Sequence, residues 1–463
     1  MKPGDRLPST RRLADSLGVA RNTVTAAYRR LVEEGWCEAR AGRGTTVALR
    51  THVRRAEAWA SDGLGKDSSA RMLPEASSVV GVVRKAARFH VQSEEPLAVV
   101  SPDFGSLPGR KWTQIVARIS KSPWMHNSYC APGGWPPFKQ VLSDYLRETR
   151  GIRCEPEQVI VTTGIQQGLD LCARVLFEPG DIVAHENPNF DLHRTALQFA
   201  RLKTLPVKVD EEGLRVEALE SVTDDVRGLL LTPSHQYPMG AVLSLERRKR
   251  LLAWAAAKRA WIIEDDYDSE LRYGGAPYPA LAALECPNEN VAYLGSFTKM
   301  IYPGFHIGYL IAPPSVQDAF VGAKMVTDRH TSEVHQAILC EFIAGGHYEA
   351  HIRKLKTLYE ERRRVAIRSI GRYLSDLGHL VPCHQGTHLT FIFDREVDDV
   401  KLSEYLRTEH RLETRPLSPC YVGENPRSGL LLGFAGFTTT SIDAAVERLA
   451  RAIQIHLATQ CVR

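Results

Sequence analysis

The sequence predicts an α/β fold with a mostly parallel central sheet, preceded by a small helical module. Three observations carry this expectation. From about residue 98, apolar runs of strand length alternate with helical stretches. The first 55 residues hold twelve Lys and Arg against five Asp and Glu. That net of +7 exceeds the +5 of the whole chain and leaves −2 on the rest. Finally, 463 residues with 43% apolar content are enough for two or three domains with a large core.

The amino-terminal residues are organised as two helices and a hairpin. Pro8-Ser9-Thr10 reads as the lead-in and cap of a helix whose apolar face is Leu13, Ala14 and Leu17. Gly18 ends it, and Val19 is expected to pack the turn. Arg21-Asn22-Thr23 opens a second helix. Val24, Ala27, Tyr28 and Leu31 form its inward face at i, i+3, i+4, i+7 spacing. Gly35 terminates that helix, and residues 39–47 read as a tight, glycine-tipped hairpin. This is helix-turn-helix geometry with a wing, the second helix being the one that enters a major groove. A generic pair of packed helices is the plainer reading; the local basic excess favours nucleic acid. Ser9, Arg11, Arg21, Asn22, Thr23, Thr25 and, on the wing, Arg43 are the candidate contacts to double-stranded DNA.

Residues 49–97, rich in Ala, Arg, Ser, Glu and Gly, read as a linker, with a short helix between Val79 and Phe89. The large domain follows at 98–463. Its expected strands are Gln158–Thr162, Ile182–His185, Gly228–Leu231, Trp261–Glu264, Val291–Leu294 and His306–Ile311. A smaller α+β part begins near residue 345. The nine cysteines are scattered without a C-x-x-C pair, so neither a zinc site nor a disulfide framework is expected. No apolar run spans a membrane, and the amino terminus lacks a signal-peptide pattern. A reducing cytoplasmic setting fits.

Five stretches bring chemistry to strand ends, the edge where open α/β sheets bind ligands. Lys299 in Gly295-Ser296-Phe297-Thr298-Lys299 could form a Schiff base, with Ser296 and Thr298 on a phosphate. Gly164, Ile165 and Gln166 follow a strand and open a helix, whose amides suit an anion. Phe190, in Glu186-Asn187-Pro188-Asn189-Phe190, could stack on a planar ring. His235 lies in the polar loop Thr232–Gly240, within reach of a ring hydroxyl. Ile263-Glu264-Asp265-Asp266-Tyr267 puts carboxylates at a strand end, where one could pair with a pyridinium nitrogen and keep it protonated. No D-x-D-x-D-G loop follows, so this acidic strand end is not expected to hold a metal. Singly, each has a plainer reading: surface lysine, ordinary βα turn, core aromatic, solvated carboxylate.

Together the pieces are more specific. "RLPSTRRLADSLGVARNTVTAAYRRLVEEG" followed by "RAGRGT" resembles the winged helix of the GntR family of bacterial regulators. The resemblance implies one further helix ahead of this stretch, missing from residues 1–48. "GSFTK", "TPSHQYPMG" and "IEDDYDSELRY", in an order matching that of the five stretches, resemble fold-type-I pyridoxal-phosphate aminotransferases. The fusion resembles the MocR-type subfamily over nearly the whole chain.

This resemblance implies a transcriptional regulator that binds pyridoxal 5'-phosphate on Lys299 and senses the cofactor, or an amine or amino acid. It implies a homodimer, because Tyr129 in "YCAPGGWPP" resembles the tyrosine that reaches the neighbouring subunit's phosphate. Two positions depart from the aminotransferase pattern. His306, in "YPGFHIGYLIAP", replaces a phosphate-binding arginine. Leu431, in "GLLLGFAGF", replaces the arginine that clamps a substrate carboxylate; Arg415 and Arg427 are the candidates to substitute. An active aminotransferase with a vestigial DNA-binding module is the alternative reading.

Overall fold

The computed structural model describes residues 2–40, 44–48, 77–87, 94–99, 102–122, 129–275, 278–284, 289–423 and 425–460. It divides into two compact units, Met1–Ala76 and Ser77–Arg463.

In the first unit, α1 (Thr10–Leu17) is capped by the Ser9 hydroxyl, which accepts from the Arg12 amide. Gly18, at φ 65°, supplies the left-handed turn that ends it. α2 (Arg21–Glu33) packs on α1 through Ala14, Val24 and Tyr28, with Leu7, Leu13 and Leu31 at the margin. The Tyr28 hydroxyl donates to the Pro8 carbonyl at 2.9 Å. β1 (Cys37–Arg40) and β2 (Gly44–Val47) form the expected antiparallel hairpin. Three expected inward residues face outward instead: Ala27 is exposed, Leu17 is 62% exposed and Val19 43%. Among the described residues of this unit, two helices and a hairpin enclose a core that is a narrow stripe centred on Val24 and Tyr28. Arg43 lies outside the described residues.

The second unit opens with α3 (Val80–Ala86), near the short helix expected inside the linker. Leu97, Ala98 and Val99 are buried, and the Leu97 carbonyl accepts from the Gly433 amide. Helices α4 (Gly109–Ser120) and α5 (Pro136–Arg150) precede β3 (Val159–Thr162) and α6 (Ile165–Val175). Next come β4 (Ile182–Asn187), α7 (Asp191–Phe199), β5 (Lys203–Asp210), β6 (Gly213–Leu214) and α8 (Val216–Glu220). β7 (Val226–Leu231), α9 (Leu245–Lys258), β8 (Trp261–Asp266), α10 (Leu281–Leu284), β9 (Val291–Ser296) and β10 (Gly308–Ile311) complete the large sheet.

Its strand order is β3-β10-β9-β8-β7-β4-β5-β6. The pairs from β9 through β5 are parallel, whereas β10 runs antiparallel to both β3 and β9. All six β9 residues are buried, as expected for a strand covered by helices on both faces. The sheet therefore matches the mostly parallel expectation, with β5 and β6 added to the six expected strands. β10 starts at Gly308 rather than at His306, because His306 takes a left-handed turn at φ 41°.

After α11 (Gln317–Thr327), α12 (Glu333–Ala344) and the 27-residue α13 (His347–Tyr373), the chain builds a four-stranded antiparallel sheet. Its strands, in the order β11-β12-β14-β13, are β11 (Gly378–Leu380), β12 (His388–Phe393), β14 (Gly429–Gly433) and β13 (Arg415–Pro416). α14 (Asp399–His410) and α15 (Thr439–Gln460) belong with it. Among the described residues, no helix is long and apolar enough to cross a membrane. The described cysteines are free and buried.

Candidate functional site

The strand register brings separate loops to one edge. Gly308 of β10 sits between Thr162 of β3 and Ser296 of β9. The Gly164 turn and the Ser296–Lys299 turn therefore flank the start of the same short strand. β8, next in order, delivers Asp265 and then Tyr267 to that edge. The result is a cavity of about 280 Å³ lined by Gly164, Ile165, Gln166, Phe190, Asp265, Tyr267, Ser296, Thr298, Lys299 and His306. Val99, Leu192, His193, Tyr237, Thr387, His388 and Arg415 complete its wall.

Part of the cavity wall presents a helix amino terminus and two hydroxyls. Gly164, at φ 84°, precedes α6 and gives it no side-chain cap, so the first-turn amides stay available. A Cβ on Gly164 would lie 3.2 Å from His306 Cε1, which places the imidazole against this turn. Ser296 Oγ accepts from the Thr298 amide at 3.1 Å and donates to Thr298 Oγ1 at 2.9 Å.

The cavity wall also carries a buried carboxylate and an amine. Asp265 is buried, and its Oδ2 is held by His193 Nε2 at 2.9 Å. Its Oδ1 is buried without a hydrogen-bond partner. Burial raises the Asp265 carboxyl above its ordinary range, while His193 pulls it back. A partnerless carboxylate oxygen on a residue that lines a cavity could take a protonated ring nitrogen. Phe190, whose edge contacts involve His193 and Tyr237, walls the same space. Lys299 faces the cavity, and burial, helped by the Arg415 charge, lowers its amine to about 8. Such an amine reaches its neutral, nucleophilic form far more readily than an ordinary lysine.

The remaining candidates fall elsewhere. His235 is buried behind Tyr267 with the two rings stacked at 5.5 Å, and it does not line the cavity. Its side chain is taken by Asp268 and Cys383 instead. Tyr129 is 73% exposed, outside the cavity, with Arg329 over its ring at 4.3 Å. Of the two substitutes for Leu431, Arg427 is exposed beside His379, whereas Arg415 lines the cavity. Arg415 is the direct cross-strand partner of Leu431. His193 and His388 were not among the expected site residues. His193 lies three positions after Phe190, a helical spacing that puts both on one side of α7's first turn; nothing local marks His388.

These features define a fold-type-I pyridoxal-phosphate domain of the aminotransferase kind, and comparison with known proteins agrees. Residues 110–449 match the family of class I and II aminotransferases, and residues 1–47 match the gntR family of bacterial regulatory proteins. The chain is 33% identical to the probable rhizopine catabolism regulatory protein MocR of Rhizobium meliloti, over 98% of this chain and 90% of that protein. It is 31% identical to the pyridoxine biosynthesis transcriptional regulator PdxR of Corynebacterium glutamicum, over 98% and 92% respectively. An archaeal alanine:glyoxylate aminotransferase structure superposes with a TM-score of 0.74 at 26% identity, covering 82% of this chain and 96% of that one. The Thermus thermophilus α-aminoadipate aminotransferase LysN, solved with N-(5'-phosphopyridoxyl)-L-leucine, gives 0.74 at 27% identity, covering 83% and 96%. The chain belongs to the MocR-type transcriptional regulators, in which a GntR DNA-binding module precedes a class I and II aminotransferase domain. Pyridoxal 5'-phosphate is the cofactor of that domain.

Proposed function

We propose that this regulator holds its cofactor through Lys299 and reads an amino-acid effector in the same cavity. The cofactor supplies an electrophilic aldehyde and an electron-accepting ring. In this reading the α6 amino terminus, Ser296, Thr298 and His306 take the phosphate. Asp265, oriented by His193, takes the ring nitrogen, and Tyr267 the neighbouring oxygen. Phe190 packs on the ring face. The observation that carries the reading is a cavity lined both by Asp265, with a buried partnerless oxygen, and by a lysine lowered to about 8.

Arg415 indicates the effector class. A guanidinium in the wall, close enough to Lys299 to lower its amine, would suit the carboxylate of an effector that also carries an amine. Tyr129, exposed and outside the cavity, supports a homodimer in which it serves the partner's phosphate. Binding in the cavity would shift the preferred conformation of the large unit and, through residues 49–76, the affinity of the winged helix for DNA.

The test is fluorescence anisotropy on the DNA upstream of the protein's own gene, with and without pyridoxal phosphate, across a salt series. Specific binding that changes with cofactor, and a response lost in Lys299→Ala, is the expected result. DNA binding indifferent to cofactor would overturn the sensing role. Turnover of an amino acid with a 2-oxo acid, absent any specific DNA binding, would favour the aminotransferase alternative.

A further inference from the structure

The turn at Gly164 is held from behind by a side chain outside the cofactor cavity. Gln167 lies in the first turn of α6, beyond the Gly164, Ile165 and Gln166 that line the wall. Its Oε1 accepts from the Thr163 amide at 2.8 Å. Its Nε2 donates to Asp328 Oδ2, also at 2.8 Å. Asp328 directly follows α11, and its backbone amide caps that helix on the Lys324 carbonyl. Lys324, one turn earlier and fully buried, gives its amine to Asp328 Oδ1. A chain Lys324–Asp328–Gln167–Thr163 thus ends on the backbone one residue ahead of Gly164.

Donor and acceptor roles along this chain are fixed. The carboxylate only accepts and the backbone amide only donates, so one orientation of the carboxamide serves both. The bond to Thr163 alone would be an ordinary helix cap. The bond to Asp328 is not local: it joins positions 161 apart and ties the turn to a separate helix. On the other side, Thr162 Oγ1 donates to the Gly164 carbonyl at 2.9 Å. The turn is therefore gripped both before and at Gly164, while the first α6 amides have no intrahelical partner.

This grip matters because of what the turn is made of. Gly164, at φ 84°, is the residue type with the most backbone freedom to lose on ordering. The side chain against it is the His306 imidazole, which offers fewer hydrogens than a guanidinium fork. Contact with an anion at this place then leans on how well the backbone amides are set beforehand.

We infer that Gln167 is a positioning residue: anchored by Asp328, it presets the Gly164 turn for a phosphate and gives the cavity its preference for phosphorylated over unphosphorylated pyridoxal. This role rests on the reading in which the α6 amino terminus takes the cofactor phosphate.

The experiment measures, by absorbance on the full chain, the dissociation constants of pyridoxal phosphate and of pyridoxal, which keeps the ring and aldehyde but lacks the phosphate. In Gln167→Met, a neutral replacement of similar length, the preference for pyridoxal phosphate should fall about tenfold while pyridoxal stays within about twofold, the scale of a hydrogen bond that acts only on the phosphate. Asp328→Asn tests the distant anchor. Its single side-chain oxygen can serve Lys324 or Gln167 but not both. Removing a negative charge would by itself tighten phosphate binding, whereas a loosened turn weakens it, so the sign decides; a fall of about threefold in the preference is expected. An unchanged preference in Gln167→Met, or equal loss of both ligands, would overturn the positioning role. A preference raised or unmoved in Asp328→Asn would overturn the anchor. Failure of the phosphate reading itself would show in the unsubstituted protein, as equal affinity for pyridoxal and pyridoxal phosphate.

Discussion

At the scale of single residues, charge and burial set the properties of the cavity. Lys299 is lowered to about 8, so below that pH its ammonium form dominates and cannot attack an aldehyde. The rate of pyridoxal-phosphate capture is expected to rise with pH and level off above about 8, and stopped-flow absorbance would follow it. A rate flat between pH 6 and 9 would contradict the lowered amine. Arg415 gives a second prediction. Arg415→Gln should weaken effector binding roughly tenfold or more, the scale of a lost charge-assisted pair, while leaving cofactor binding within about threefold. Calorimetry with an amino acid and with its decarboxylated amine distinguishes the outcomes: only the amino acid should lose affinity. The residue types were visible in the chain, but not which arginine reaches the cavity. Arg415 and Arg427 are equally plausible in the sequence, and only pairing of β13 with β14 selects the first.

Among the secondary-structure elements, close approach of strands decides what the site tolerates. A Cβ on Gly308 would lie 2.8 Å from Gly164 Cα and 2.9 Å from the Gly295 carbonyl oxygen, both backbone atoms that cannot swing aside. Gly308→Ala is therefore expected to cost about 1–3 kcal/mol and to loosen the phosphate end of the cavity. Thermal unfolding should drop by a few degrees, and cofactor affinity should fall with it. Unchanged values for both would show that β10 can shift away from the Gly164 turn. The six strands expected from apolar runs are all present, because central parallel strands are continuously apolar and easy to see. β5 was missed: its residues Lys203–Asp210 mix exposed and buried positions at the sheet's edge, with a proline inside.

In the whole molecule, a basic module is joined to a near-neutral body. α2 begins with Arg21 at its amino terminus and has no acidic residue in its first turn. A cation there opposes the helix dipole, a small cost that an anionic partner would offset. Arg21→Ala should weaken DNA binding across sequences and reduce the salt-dependence slope by about 1 if the contact is to phosphate. Relaxed sequence preference with an unchanged slope would instead assign Arg21 to a base edge.

The sequence by itself determined the local chemistry: strand-end positions for Lys299, Asp265, Tyr267 and Gly164, a helix pair with a hairpin, and an α/β succession. These follow from short-range periodicity, from the Ser9 cap of the first helix and from turn residues, which need no distant partner. Tertiary structure decided the rest, because each remaining question concerned residues far apart in the chain. The 3.4 Å approach of His235 to Cys383 joins positions 148 apart in sequence. The arginine exposed to the cavity depends on β13 lying beside β14. The orientation of Asp265 depends on a histidine from α7. Spacing along the chain carries no record of such contacts; sheet order and packing create them.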